Sequence, residues 1–182
     1  MTATVNDILD YWFSDEFAAH WFSSTPEIDI GIAGRFEKTW EQARKGELDE
    51  WQQTAEGCLA LIILLDQMPL NMFRGLAKSF STESQAIAVA KYAIQQAFDE
   101  QLTAQQSMFV YMPLMHSENS QDQALSVNLF EQSGLENNVE FAKHHQSIIM
   151  RFGRFPHRNE ILGRTSSQLE LDYLDSDEAF KG

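Results

Sequence analysis

Thr54-Ala-Glu-Gly-Cys58-Leu-Ala-Leu-Ile62-Ile-Leu-Leu65-Asp-Gln-Met68 is the stretch on which the fold turns. Thr54 offers a helix start, and the eight residues Cys58–Leu65 are apolar without interruption. That run is far short of the ~20 residues that cross a bilayer. A helix apolar on every side belongs in the middle of a bundle, which predicts burial of Leu61, Ile62 and Leu65. Pro69 is expected to end the helix. Asp66 and Gln67 then fall at its C-terminal end, where the helix dipole opposes a carboxylate and calls for a cation. Arg74, eight residues on, is the nearest one; a polar pocket wall is the alternative for Asp66 and Arg74.

Working outward, apolar residues recur at helical spacing. Val5, Ile8, Leu9 and Trp12 follow one face, with Thr4 and Asp7 spaced as a capping box. A second helix over Asp29–Lys45 buries Ile32, Phe36 and Trp40 and stops at Gly46. The pairs Thr82–Gln85, Thr103–Gln106, Ser120–Gln123 and Thr165–Gln168 repeat the start signal, the first ahead of a face made by Ile87, Ala90, Ile94 and Ala97. Pro113 is expected to break or kink the helix through Met108–Met112. A further helix spans Asn138–Phe152 and stops at Gly153, with Ser133–Asn138 the loosest connection before it. Short turns are expected at Pro156–Leu162 and Ser167–Leu174. The sum is an all-α chain, a compact antiparallel array of about eight helices in a single domain, residues 1–182. No internal repeat, low-complexity stretch or linker divides it.

The totals exclude several classes. The net charge is −14, from 27 acids against 13 Lys and Arg. Such a surface repels nucleic acid and anionic lipid, so neither is expected as a partner. Cys58, the single cysteine, rules out a disulfide framework and lies in the apolar run, which predicts a buried, inert thiol. The first sixteen residues carry four acids and no basic segment, unlike a targeting peptide. A cytoplasmic protein is the expectation.

Charge is unevenly spread. Lys143, Arg151, Arg154, Arg158 and Arg164, with His144, His145 and His157, face a single acid, Glu160, between positions 143 and 164. Guanidinium forks suit carboxylate or phosphate, so Arg151, Arg154, His157, Arg158, Asn159 and Arg164 are candidate ligands for a small anion. Pro156 would open a short helix whose free N–H groups add donors, and His157 would strengthen binding as pH falls through roughly 6.5. The competing reading pairs these arginines with Asp66, Glu118 or the acidic tail Glu170–Glu178. Tyr111-Met-Pro-Leu-Met-His116-Ser-Glu118 supplies a second segment. His116 or His157 could act as acid–base, with Glu118 polarising it, although a helix-end capping role suits Ser117 and Glu118 as well. No Gly-x-Ser-x-Gly elbow supports Ser117 as a nucleophile. No His-x-x-x-His or Glu-x-x-His spacing supports a metal, and no cofactor is expected. His145 shares a face with Ile149 and Phe152 and is expected in the core.

Ile8-Leu-Asp-Tyr-Trp-Phe13, Gly46-Glu-Leu-Asp-Glu-Trp51, Leu64-Leu-Asp-Gln67, Tyr111-Met-Pro-Leu114, His116-Ser-Glu118, and Arg151-Phe-Gly-Arg-Phe-Pro-His-Arg-Asn159 with Gly163-Arg164 together carry a resemblance. Over nearly its whole length the chain resembles the bacterial family called domain of unknown function 924. The resemblance implies a tetratricopeptide-like helical arrangement and transfers no catalytic residue. Two departures stand out: Leu70 where the family has an arginine, and Ser166-Ser167-Gln168 where it has Ser-Thr-Pro. The first removes a cation near Asp66. Three functions remain open: a helical binding module for a small anion or acidic peptide, an enzyme acting on an anionic substrate, and a scaffold for a protein partner.

Overall fold

A computed structural model of the chain describes residues 2–180. All regular structure among them is helical. Two compact units are distinguished, Met1–Arg74 with Lys78–Pro113, and Gly75–Ala77 with Leu114–Gly182.

The first unit opens with α1 (Val5–Trp12), which begins at the Thr4–Asp7 capping box and buries Ile8 and Trp12. The short α2 (Asp15–Ala18) follows. Helix α3 (Pro26–Arg44) starts three residues earlier than expected, because Thr25 caps it and Pro26 suits its first turn. It buries Ile32, Phe36 and Trp40 as expected, and Gly46 takes the left-handed conformation just beyond its end.

The decisive stretch forms α4 (Ala55–Ile62), with the Gly57 N–H donating to the Thr54 hydroxyl at 3.1 Å. Leu61, Ile62 and Leu65 are all but inaccessible, as the apolar run predicts. Cys58 is buried, and burial pushes its thiol up to about 11, so it is an inert thiol at neutral pH. Gly57 cannot be replaced freely, since a Cβ there would sit 1.9 Å from the Trp51 carbonyl oxygen.

Pro69 does not end this helix. Ile63–Gln67 widens into a π-turn, and α5 (Met68–Met72) continues from it with Pro69 in its first turn. The widening leaves backbone carbonyls to be satisfied, and the Thr82 hydroxyl donates to the Leu65 carbonyl at 2.6 Å. Pro69 falls where a missing N–H costs nothing. The segment Ala55–Met72 is long and apolar enough to cross a membrane, yet 78% of it is buried within the protein, the position of a core helix.

Thr82 therefore does not cap the next helix with its side chain: it also accepts from Trp40 Nε1 at 3.2 Å, while the Gln85 side chain donates to the Arg44 carbonyl. Helix α6 (Glu83–Gln95) buries Ala86, Val89, Ala90 and Ala93, a face rotated from the expected Ile87–Ala97 row. Small side chains let it approach α4, against which it packs. Helix α7 (Ala104–His116) starts at the expected Thr103–Gln106 pair. It runs through Pro113 without a break, because the proline forfeits one N–H bond only a turn before the helix ends.

In the second unit, α8 (Ser120–Ser133) is capped by Asn119, one residue ahead of the expected Ser120. Gln123 is buried and caps the end of α7 instead, donating to the Met115 and Ser117 carbonyls at 2.6 and 2.7 Å. Helix α9 (Glu136–Phe152) packs against α8 across the turn Gly134–Leu135, so the connection expected to be loose is tight. Ser167–Leu174, expected as a turn, is mostly helix: α10 (Gln168–Leu174) begins at a Ser167–Glu170 capping box, two residues beyond the expected Thr165. Ile148, Ile149, Phe155 and Tyr173 form a core here, flanked by Phe152, Leu174, Ala179 and Phe180.

Candidate functional site

The cationic segment of the second unit is built around two carboxylates. Gly153 ends α9 in a left-handed conformation and turns the chain so that the Phe155 N–H donates to Glu118 Oε1 at 2.7 Å. Pro156–Arg158 then forms a single 3₁₀ turn. The Arg158 N–H is not free, donating to the Phe155 carbonyl, and Asn159 donates to that of Pro156. The expectation of an open backbone donor at Arg158 is therefore corrected, because the 3₁₀ turn closes that hydrogen bond internally, while the Phe155 N–H ahead of the turn goes to Glu118.

Arg164 completes the seat around Glu118. Its Nη1 donates to Oε2 at 2.7 Å and its Nη2 to Oε1 at 3.0 Å, and Nη2 also reaches the Phe155 carbonyl. Burial raises the Glu118 carboxyl, but the Arg164 bonds, the Phe155 N–H and the charges of Arg164 and Arg158 outweigh it and hold the group below the usual carboxylate range. Glu118 is thus an ion-pair partner. The Ser117 hydroxyl accepts from the Asn119 N–H and donates to Asp122, while the cap of α8 is Asn119 itself.

Glu170 forms the second fork. Arg154 donates to it through Nε at 2.6 Å and Nη2 at 2.8 Å, and reaches the Thr165 carbonyl. Asn159 Nδ2 and the Ser167 N–H add to the same carboxylate. Glu170 is buried, and the Arg154 bonds hold its carboxyl well below the ordinary range. Of the two readings for the arginines, internal pairing describes Arg154 and Arg164. Arg158 is buried, lies over the Phe155 ring at 4.6 Å and donates to the His116 carbonyl at 3.0 Å. Arg151 is exposed and rests on the rings of Phe152 and Tyr173.

His116, at the end of α7, meets this segment through its carbonyl. His157 stands beside Phe155 and Phe180, and burial, with the charge of Arg158, pushes it down to about 4. The expected protonation near 6.5 is corrected accordingly: the ring is neutral there because a low-dielectric site next to a cation disfavours imidazolium. His145 is buried as expected; its Nδ1–H donates to the Phe141 carbonyl, and burial brings the ring down to about 3. The buried atoms His157 Nδ1, Asn159 Oδ1 and Arg164 Nε lack a protein partner.

Three predicted residues belong to the first unit. The Tyr111 hydroxyl donates to Asp99 at 2.8 Å. Asp66 lies buried in the π-turn and accepts from the Gln67 side chain. Arg74 is not its cation: it pairs with Asp29 at 2.7 Å and also reaches Ser24, since the α5 continuation carries it toward α3. Among the described residues no group of three His, Cys, Asp or Glu side chains is placed to hold a metal. Sequence reasoning missed a cleft in this unit lined by Asp10, Tyr11, Glu16, Phe17, His20 and Arg35, about 380 Å³ in volume. The run Asp10-Tyr-Trp-Phe13 was its only sequence signal.

A solved structure of a protein of unknown function from Agrobacterium tumefaciens is similar, with a TM-score of 0.89, 36% identity, and coverage of 94% of this chain and 96% of that one. No curated protein matches. The profile of one family, described as a bacterial protein of unknown function, matches residues 8–178. On that match the chain belongs to the bacterial family of unknown function DUF924.

Proposed function

We propose that the protein is a binding module whose second unit takes a small oxyanion by exchange for Glu118. One observation carries this: Glu118 occupies a seat of charge-assisted donors, the Phe155 N–H and the Arg164 fork, with its own side chain 28% exposed. A carboxylate or phosphate oxygen would make the same bonds as the side chain it displaces. Glu118 would then return to water, so the exchange costs little electrostatically and favours ligands that present two oxygens in one plane.

Replacing the competitor tests the reading. Glu118→Gln should bind citrate or inorganic phosphate more tightly than the native chain, by about tenfold. Arg164→Ala should lose that binding. The native protein should gain a few degrees of melting temperature, on the order of 2–4 °C, from citrate at saturating concentration over a sodium chloride control of equal ionic strength. Equal responses to citrate and chloride in the native and Glu118→Gln proteins would sink the proposal.

A second reading rests on His157. A neutral, half-buried imidazole with its buried Nδ1 unpartnered, close enough to Glu118 and Arg158 to feel both charges, suits an acid–base group acting on a seated anion. It requires that His157→Gln leave citrate affinity unchanged while abolishing turnover of a substrate that binds at the same seat.

A further inference from the structure

The first-unit cleft shares no residue with the anion seat. Its floor is aromatic: Tyr11 on α1 lies 4.6 Å from Phe17 on α2 and 5.0 Å from Phe36 on α3, between ring centroids. Ile28 adds apolar wall. Arg35 of α3 spreads its guanidinium over the Tyr11 ring at 4.9 Å and the Phe36 ring at 5.2 Å. Stacking of this kind fixes the plane of the group and uses none of its five N–H donors.

Arg35 differs in this from most arginines of the chain. Arg44, Arg74, Arg154, Arg158 and Arg164 each donate to a carboxylate or a carbonyl. Arg35 donates to no described residue, and the Tyr11 hydroxyl is likewise uncommitted. Asp10 and Glu16 line the same cleft without an ion pair. Ser14 and His20 are spent on local backbone groups, of Tyr11 and Phe17 and of Ser23 respectively. The cleft therefore offers one oriented cation, two carboxylates, a phenol and an apolar floor.

An anion alone would meet Asp10 and Glu16, and a cation alone would meet Arg35. A molecule carrying both charges on neighbouring atoms satisfies all three. We propose that the cleft binds a free amino acid, with its carboxylate on the Arg35 fork, its ammonium toward Asp10 and Glu16, and its side chain on Tyr11, Phe17 and Ile28. The Tyr11 hydroxyl, kept protonated by burial, adds a donor to the carboxylate. An apolar or aromatic side chain fits the floor better than a charged one.

The test is calorimetric titration of the full chain with each of the twenty standard amino acids at pH 7, with phenethylamine and 3-phenylpropionate as single-charge controls. Phenylalanine or leucine should bind saturably, and both controls at least about tenfold more weakly. Arg35→Gln, at an exposed position, should remove that binding while its tryptophan fluorescence stays native, and Asp10→Asn should weaken it. The proposal is overturned if no amino acid binds up to about 10 mM. It is overturned equally if the single-charge controls match the amino acid, or if Arg35→Gln binds as the native chain does. Citrate binding at the Glu118 seat is read in separate variants, so either reading can fail alone.

Discussion

The two units differ in what dominates their interiors. The first puts hydrocarbon at its centre, the α4 run with Trp12, Phe36 and Trp40 around it, and its Arg74–Asp29 pair lies near the surface, where Arg74 is 59% exposed. The second brings charge inward: Glu170 is 3% exposed and Arg158 6%, and both are held by directional bonds. Apolar burial tolerates changes of pH and salt and responds to volume. A carboxylate–guanidinium network responds to protonation and to the loss of one partner, because the abandoned charge stays buried. The first unit is a scaffold by this measure, and the second is the place where chemistry changes stability.

Mutations can break that contrast. Gly57→Ala should have the largest effect, about 4 kcal/mol or more, since its Cβ would collide with the Trp51 backbone. Ile62→Ala should follow at about 2–5 kcal/mol, from lost transfer energy and a cavity in a site with no access to water. Both are read by urea unfolding followed through tryptophan fluorescence, which reports the first unit alone because Trp12, Trp21, Trp40 and Trp51 all lie there. Normal stability in Ile62→Ala would remove the premise of an apolar centre.

In the second unit, Glu170→Gln should cost about 2–3 kcal/mol, less than a fully enclosed pair because Arg154 is 31% exposed and can rehydrate. Hydrogen exchange of α9 and α10 is the suitable probe. If Glu170→Gln proves milder than Arg74→Ala, the units do not differ in the way described. Arg74→Ala, at a mostly exposed pair, should cost only about 0.2–1 kcal/mol.

Acid sharpens the contrast further. His157 and His145 stay neutral in the native protein down to about 4 and about 3, whereas a free imidazole takes a proton near 6.5. Between those values the unfolded chain binds protons that the native one refuses, so stability falls as pH drops below roughly 6.5. The depressed carboxyls of Glu118 and Glu170 act in the same direction at lower pH, since their contribution is present above the unfolded carboxyl pKa and lost as pH falls through the folded one. The C2–H resonances of His145 and His157 should stay unshifted from pH 7 to 5 while α9 and α10 lose exchange protection. A His157 titration midpoint near 6.5 would contradict the burial argument.

The fold was legible where periodicity and caps act locally. The Thr4–Asp7 box, the Thr103–Gln106 pair, the Gly46 and Gly153 stops and the burial of Ile62 all followed from neighbours within a few residues. Pro69 misled, because a proline ends a helix only where the carbonyl that loses its N–H partner finds no other donor. At the π-turn before Pro69 the Thr82 hydroxyl serves the Leu65 carbonyl, whereas Pro113 forfeits one bond without ending α7. At the candidate site, the sequence marked Glu118, Arg154, Arg164 and the Glu170–Glu178 tail, yet not which arginine meets which acid. Those pairings span 16 and 46 positions and are set by packing. Thr82 shows the limit well: its spacing from Gln85 reads as a cap, but a carbonyl seventeen residues away competes for the hydroxyl and wins.

The π-turn at Ile63–Gln67 also acts as a phase setting. It lodges one residue more than α geometry would hold, so everything after it is rotated by about 100° relative to a continuous helix. That offset brings the Asn71 amide to Ser24 and Asp29, each at 2.9 Å, and so ties the end of α5 to the start of α3. Deleting Leu64 would leave composition, length and apolar character almost untouched. It would still swing Asn71 away from both partners, so this helix is specified by its residue count as much as by its residues.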